Sequence, residues 1–336
     1  MKKFASLLLV IVALLTILAS CAQKDPASEN PITPLKIGVL SGTTGMGAAK
    51  LVNDINAGGE EISKYYAAID TYTDPSTLLS DIISGKVDIA ALPTNAAATL
   101  FNKSKGNANV VAINTLGVLY ILDSSGSVKS LSDLSGKTVY VATPGQTPEY
   151  IFKHILNENN IENVTISYDY TDLDSLTSAI ATGAVEIALL PEPKVTIAQT
   201  TAANNGIANL AVAIDLTEEW SKVEDTVLTQ GCVVARKEIV ENNNAALEKF
   251  LADYEASINY ITDENNIDEA AAAIAASGII PKAPIAKKAL PKCNITFIAG
   301  EEMKAALSSF LKVLYDMDKT AIGGSLPTDD FYYISK

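Results

Sequence analysis

The 336 residues carry 39 acidic against 25 basic side chains, a formal net charge of −14 at pH 7. So acidic a surface argues against a nucleic-acid partner and against direct adhesion to anionic lipid, since both are held by clusters of Lys and Arg. One histidine, three cysteines and no C-x-x-C pair argue against a His-rich or Cys-rich metal centre, and no metal or cofactor is expected. With 48% hydrophobic residues the chain can bury substantial cores, and its length fits two lobes better than one.

Lys2 and Lys3 precede an apolar run, Leu7 to Leu18, that is short for a bilayer span and typical of a signal h-region. It closes on Leu18-Ala19-Ser20-Cys21, which resembles the cleavage site of a bacterial lipoprotein. That resemblance implies a signal peptide over 1–20, cleavage before Cys21, and lipidation of Cys21 with acyl chains such as palmitate. Two or three chains on one cysteine anchor stably where a single chain is marginal. Residues 21–34 are polar and read as a flexible tether. The expected location is extracytoplasmic, on the cell membrane. Cys232 and Cys293 remain, and a disulfide between them and two free buried thiols both fit the sequence.

The first strand is Leu35 to Leu40, followed by the loop Ser41-Gly42-Thr43-Thr44-Gly45-Met46-Gly47 and a helix from about Ala48 to Asn56. A loop of small residues leaves backbone N–H groups pointing outwards at the helix N-terminus, where an anion or a carbonyl oxygen can rest. Ser41, Thr43, Thr44 and Met46 are candidate ligand contacts; a plain tight turn is the alternative. The loop lacks a GK[ST] ending, so nothing supports nucleotide hydrolysis. Tyr65 to Tyr72 gives the second strand.

Asp74 to Thr99, DPSTLLSDIISGKVDIAALPTNAAAT, then recurs in outline from Asp172 as DLDSLTSAIATGAVEIALLPEPKVTIA. Superposing Asp74 on Asp172 aligns Leu78 with Leu176, Gly85 with Gly183 and Pro93 with Pro191, without a gap. Each copy reads as an amphipathic helix ended by glycine, then a buried strand stopped by proline. Two copies imply two similar α/β lobes. Thr94 and Asn95 follow the first proline. Glu192 stands where Thr94 does, able to accept hydrogen bonds from a ligand amine or ring N–H; a solvated loop carboxylate is the alternative.

Strands follow at Val110 to Asn114 and Gly117 to Leu122, then S-L-x-D-L-x-G-K-x-V over Ser130 to Val139. With the flanking DIAALPTN and EIALLPEP, this order resembles the type II periplasmic (solute-binding) proteins of ABC importers. The similarity is to the branch serving nitrate, sulfonates, taurine and thiamine-pyrimidine precursors, and it covers roughly Leu35 to Tyr315. It implies an α/β fold of two Rossmann-like lobes joined by a two-strand hinge, with the ligand cleft between them. Lobe 1 would comprise 35–115 and 231–336, and lobe 2 would comprise 116–230. The implied partners are a small-molecule ligand and the transmembrane subunits of an ABC permease, the protein itself being a monomer.

In the loop Thr143 to Glu149, Thr147 reads as an N-cap with Pro148 at the first helical position, mirroring the Ser41–Gly47 loop. Gln146 and Thr147 therefore join the candidates, with Leu116 and Gln230 beside the two expected crossovers between lobes, near Asn114 to Gly117 and around Thr226 to Gly231. His154 reads as a packing or surface residue, having no acid–nucleophile pattern around it. Helical stripes at Leu247, Phe250, Leu251, Tyr254 and Ile258, and at Met303, Leu307, Phe310, Leu311 and Leu314, complete lobe 1 as core. Lys282, Lys287, Lys288 and Lys292 read as a solvated face.

Arg236 is the sole arginine, so a bidentate arginine clamp on a ligand carboxylate is disfavoured. An anionic head group would rest on helix N-termini and on Thr43, Thr44 and Thr147, while Glu192 would suit a neutral or amine-bearing solute. The thiamine-precursor enzymes of this fold carry a cysteine-rich motif that is absent here. A menaquinone-pathway dehydratase on the same scaffold would be cytosolic, and Cys21 argues against it. The chain is thus expected to bind rather than catalyse, with a solute-sensing surface lipoprotein as the alternative.

Overall fold

The computed structural model describes residues 32–142 and 144–335. The segment expected to be a signal peptide, Cys21, and nearly all of the expected tether lie outside the described residues. In chain order the described strands are β1 (Leu35–Leu40), β2 (Tyr66–Tyr72), β3 (Ile89–Pro93), β4 (Ala108–Leu116), β5 (Leu119–Asp123), β6 (Thr138–Val141), β7 (Thr165–Ser167), β8 (Ile187–Pro191), β9 (Ala211–Asp215), β10 (Thr229–Arg236) and β11 (Ile295–Ile298). The main helices are α1 (Ala49–Ala57), α2 (Pro75–Ile83), α3 (Thr94–Lys103), α4 (Thr147–Glu158), α5 (Leu173–Ala181), α6 (Lys194–Asn204), α7 (Leu216–Trp220), α8 (Asn244–Thr262), α9 (Ile267–Ala276), α10 (Ala283–Ala289) and α11 (Gly300–Met317).

Two mixed sheets result, ordered β11-β4-β10-β3-β1-β2 and β7-β6-β8-β5-β9. In the first, β1 runs parallel to β2 and β3, and β10 runs antiparallel to β3 and β4. In the second, β6 is parallel to β7 and β8, and β5 is antiparallel to β8 and β9. The chain leaves the first sheet after Leu116 and re-enters it at Thr229, and these two residues are paired partners. The lobes are therefore joined by two segments that run side by side, the arrangement expected of a hinge.

The repeat accounts for the matching halves. Asp74 caps α2 by accepting from the N–H groups of Ser76 (3.0 Å) and Thr77 (3.2 Å), and Asp172 caps α5 through Ser175 N–H (2.8 Å). Gly85 and Gly183 follow these helices with φ of 76° and 75°, the left-handed region that costs an L side chain strain. Leu78 and Leu176 are each fully buried, in separate apolar clusters.

Three features depart from the sequence reading. The stripe on α11 does not serve the first lobe alone. It packs on β4 and β10 and also on α4, with Phe310 5.7 Å from the Trp220 ring and Tyr150 Oη donating to Asp318 (2.7 Å). A helix of 18 residues, about 27 Å, is long enough to bridge both lobes. Secondly, β9 and α7 occupy a stretch without a sequence signal, because β9 is an edge strand whose Ala211 and Val212 are exposed. Asp215 starts α7 by accepting from Thr217 N–H (2.7 Å). Thirdly, the helix expected from about Ala48 is preceded by a separate single turn, Thr43–Met46, so its own start is buried behind that turn.

Cys232 and Cys293 are both free and buried. Burial raises both thiols, Cys232 to about 12, so neither is a thiolate at neutral pH. His154 bonds Glu224 (2.6 Å) and packs on Trp220, a structural placement. Among the described residues no helix is long and apolar enough to cross a membrane.

Candidate functional site

A cavity of about 760 Å³ lies where the two sheets present their strand ends. Leu40 at the end of β1 and Ser41 after it, Pro93 of β3, Leu119 of β5, Pro191 of β8 and Gln230 of β10 contribute to its wall. In open α/β sheets the crevice beyond the strands' carboxyl ends is where ligands collect, since the following helices begin there. Five of the main helices begin at this cavity, besides the single turn Thr43–Met46: α2 through Pro75 and Ser76, α3 through Asn95 and Ala96, α4 through Thr147 and Pro148, α5 through Leu173, and α6 through Lys194.

Of the residues singled out from sequence, Ser41, Thr43, Thr44, Asn95, Gln146, Thr147, Glu192 and Gln230 line the cavity. Met46, Thr94 and Leu116 do not. Met46 is fully buried, because the Thr43–Met46 turn directs its long apolar side chain into the core. Thr94 is 2% exposed, and its buried hydroxyl, which has no hydrogen-bond partner, does not line the cleft. Leu116 packs against the apolar cluster beside the crossover. Thr147 is the first helical residue of α4, and Gln146 holds the cap position, one residue from the expectation. Sequence reasoning missed Asp74, Ser76, Leu79, Leu173 and Lys194, all of which line the cavity. The Asp-Pro-Ser start of α2 carried a usable signal, since a capping residue marks a helix end and these helix ends face the cleft.

The carboxyl groups here are largely engaged within the protein. Asp74 accepts from the hydroxyls of Ser76 (2.6 Å) and Thr77 (2.7 Å) as well as from their N–H groups, which together hold it from its ordinary 3.8 down to about 2. Glu192 is 1% exposed. One of its carboxylate oxygens accepts from Thr196 N–H (3.1 Å) and the other from Thr196 Oγ1 (3.0 Å). It therefore caps α6 from a buried position, and is neither a solvated loop carboxylate nor a free acceptor. Burial pushes it above the usual carboxylate range, against the pull of the Thr196 bonds. Behind the wall, burial opposes the charge of Glu149, but bonds from Lys153, Tyr168 and Gly145 N–H hold it below its ordinary value.

Lys194 is paired with Asp174 of α5. Arg236 bonds Asp88 (3.1 Å) and Glu238 (2.6 Å) and does not line this cavity. Two buried polar atoms of the wall have no partner, Thr147 Oγ1 and Gln230 Oε1. Asn114 supports the first-lobe turn, donating to Thr44 O and to Tyr254 Oη, each at 2.9 Å. Gly231 leaves room for it, since a Cβ there would lie 2.6 Å from Asn114 Oδ1.

Solved structures share this architecture. An ABC transporter protein from Parabacteroides distasonis aligns at a TM-score of 0.75 and 22% identity, over 90% of this chain and 100% of that one. The periplasmic aliphatic sulphonate binding protein SsuA from Escherichia coli gives 0.67 and 16%, over 90% and 94%. The periplasmic nitrate-binding protein NrtA from Synechocystis gives 0.58 and 12%, over 85% and 82%. At these identities the likeness defines the fold, that of the type II periplasmic binding proteins. Residues 67–316 match the family described as menaquinone biosynthesis, and the chain belongs to that family. No curated protein matches the sequence. Membership in a biosynthetic family overturns the expectation that the chain is no enzyme. That expectation weighed Cys21 against a scaffold that binding proteins and enzymes share, and the helix–strand–proline units are common to both.

Proposed function

We propose that the protein captures a small organic solute in the cleft by closing its two lobes, and hands it to an ABC permease while anchored through Cys21. The lobes would divide at 35–115 with 231–336 against 116–230, and the two crossovers beside Leu116 and Thr229 would flex. One observation carries this reading: a cavity of about 760 Å³ walled by both sheets and five helix starts, large enough for a metabolite and holding buried, unpartnered polar atoms. A thermal-shift screen tests it. A ligand at a hundred times its dissociation constant adds about 2.7 kcal/mol, and a panel of alkanesulfonates, taurine, nitrate, aminopyrimidines, flavins and amino acids in which no member gives a shift counts against it.

The family favours a second reading, in which the bound molecule is also turned over. Its specific support is Glu192, a buried carboxyl at the cleft pushed towards its protonated form, a property of general acids. Magnetic resonance of ligand mixed with protein separates the two readings. Capture leaves the ligand's spectrum chemically intact, whereas turnover produces new resonances that Glu192→Gln suppresses without abolishing binding.

A further inference from the structure

We propose that the cleft selects a neutral or amine-bearing solute with a mainly aliphatic body, and disfavours sulfonate and nitrate. This rests on the capture reading and narrows it.

The helix ends come first. Anions rest at helix N-termini because free N–H groups and the positive end of the dipole await them. Here four of the five helices that begin at the cavity carry a carboxyl group of their own. Asp74 takes the N–H groups of Ser76 and Thr77 in the first turn of α2, Asp172 that of Ser175 in α5, and Glu192 that of Thr196 in α6. Glu149 sits in the first turn of α4, where it also takes the N–H of Gly145 in the preceding loop. Pro75, Pro148 and Pro193 have no N–H to give. Of these five only α3 starts with neither an accepting carboxylate nor an acidic residue in its first turn, and the single turn Thr43–Met46, which also lines the cavity, is equally bare.

The cations point the same way. Among the described residues that line the cavity Lys194 is the single cation, and Asp174 already neutralises it. The unpartnered atoms specify what is wanted instead. Gln230 Oε1 is an acceptor, so a donor on the ligand would complete it, which nitrate and an alkanesulfonate group lack. Thr147, 6% exposed, has a free Oγ1 that completes a bond of either sense. The bare start of α3 leaves room for one ligand acceptor such as an amide carbonyl. The apolar part of the wall is Leu40, Leu79, Leu119, Leu173, Ala96 and six prolines, beside the hydroxyls of Ser41, Thr43 and Thr44, with no aromatic ring among the described lining residues. It favours an aliphatic body over a stacked heterocycle.

The test titrates the intact protein with n-alkylamines, n-alkylamides and n-alkanesulfonates of matched chain length, and with nitrate, following melting temperature and heat of binding. The expected result is binding of the amine or amide, while sulfonate and nitrate give no more than sodium chloride does at equal ionic strength. Asp74→Asn should weaken the amine about threefold and leave the amide unchanged, as for a screened charge pair. Tighter binding of sulfonate or nitrate than of the matched amine and amide would overturn the selection and leave capture standing. No response to any probe would remove the capture reading, and this inference with it.

Discussion

The two copies of the repeated unit diverge at the residue after their shared proline. In the first lobe Pro93 leads through Thr94 into α3, whose first turn has no side-chain cap and lines the cleft at Asn95 and Ala96. In the second, Pro191 leads to Glu192, whose carboxylate folds back on Thr196 and closes the same position from within. One backbone plan thus yields an uncapped helix start and one that is already satisfied. The difference teaches that strand ends locate the cleft, while one side chain per lobe sets what it offers.

The largest test of the shared plan is the matched pair Leu78→Ala and Leu176→Ala. Both side chains are fully buried at equivalent positions, so each should cost about 2–5 kcal/mol in chemical denaturation. A loss of less than about 1 kcal/mol for either would show that the two copies do not support their lobes alike.

The difference between the walls is sharpened at Glu192. Replacement by Ala strands the buried N–H of Thr196 and should cost about 1–3 kcal/mol, whereas Gln keeps an acceptor and should cost less. Because burial raises Glu192 in the folded state, the unfolded chain ionises first as pH rises. Native stability therefore falls through the carboxylate range and above it, and Glu192→Gln should gain relative to the native protein as pH increases. A difference independent of pH would contradict the buried placement.

Asp74 carries the opposite sign and the smallest effect. Its folded value, about 2, lies below its ordinary 3.8, so its contribution is present above that range and is lost as pH falls towards 2. Asn preserves the cap. An acid-unfolding profile of Asp74→Asn should thus lie below the native protein at pH 7, be flatter between about pH 4 and 2, and converge on the native profile there.

The sequence exposed most of the fold because Asp, Gly and Pro occupy the repeat at unique backbone positions: a cap, a left-handed turn and a strand stop. It concealed β9, whose edge position removes the continuous apolar run that marks buried strands. The α11 stripe revealed a buried helix but not its partners, since periodicity reports a face and not what covers it. The cleft was legible as a set of strand ends, which brought Ser41, Asn95, Thr147 and Glu192 to its wall. Which atoms are free there depends on hydrogen bonds made after folding, so the engagement of Glu192 by Thr196 and of Lys194 by Asp174 had no local signature.

Small-angle X-ray scattering of the chain from Thr33 onwards, with and without a ligand that raises its melting temperature, tests lobe closure most directly. Closure on the two crossovers predicts a smaller radius of gyration at saturation, reversed when the ligand is dialysed away. Identical curves with the cleft demonstrably occupied would contradict it.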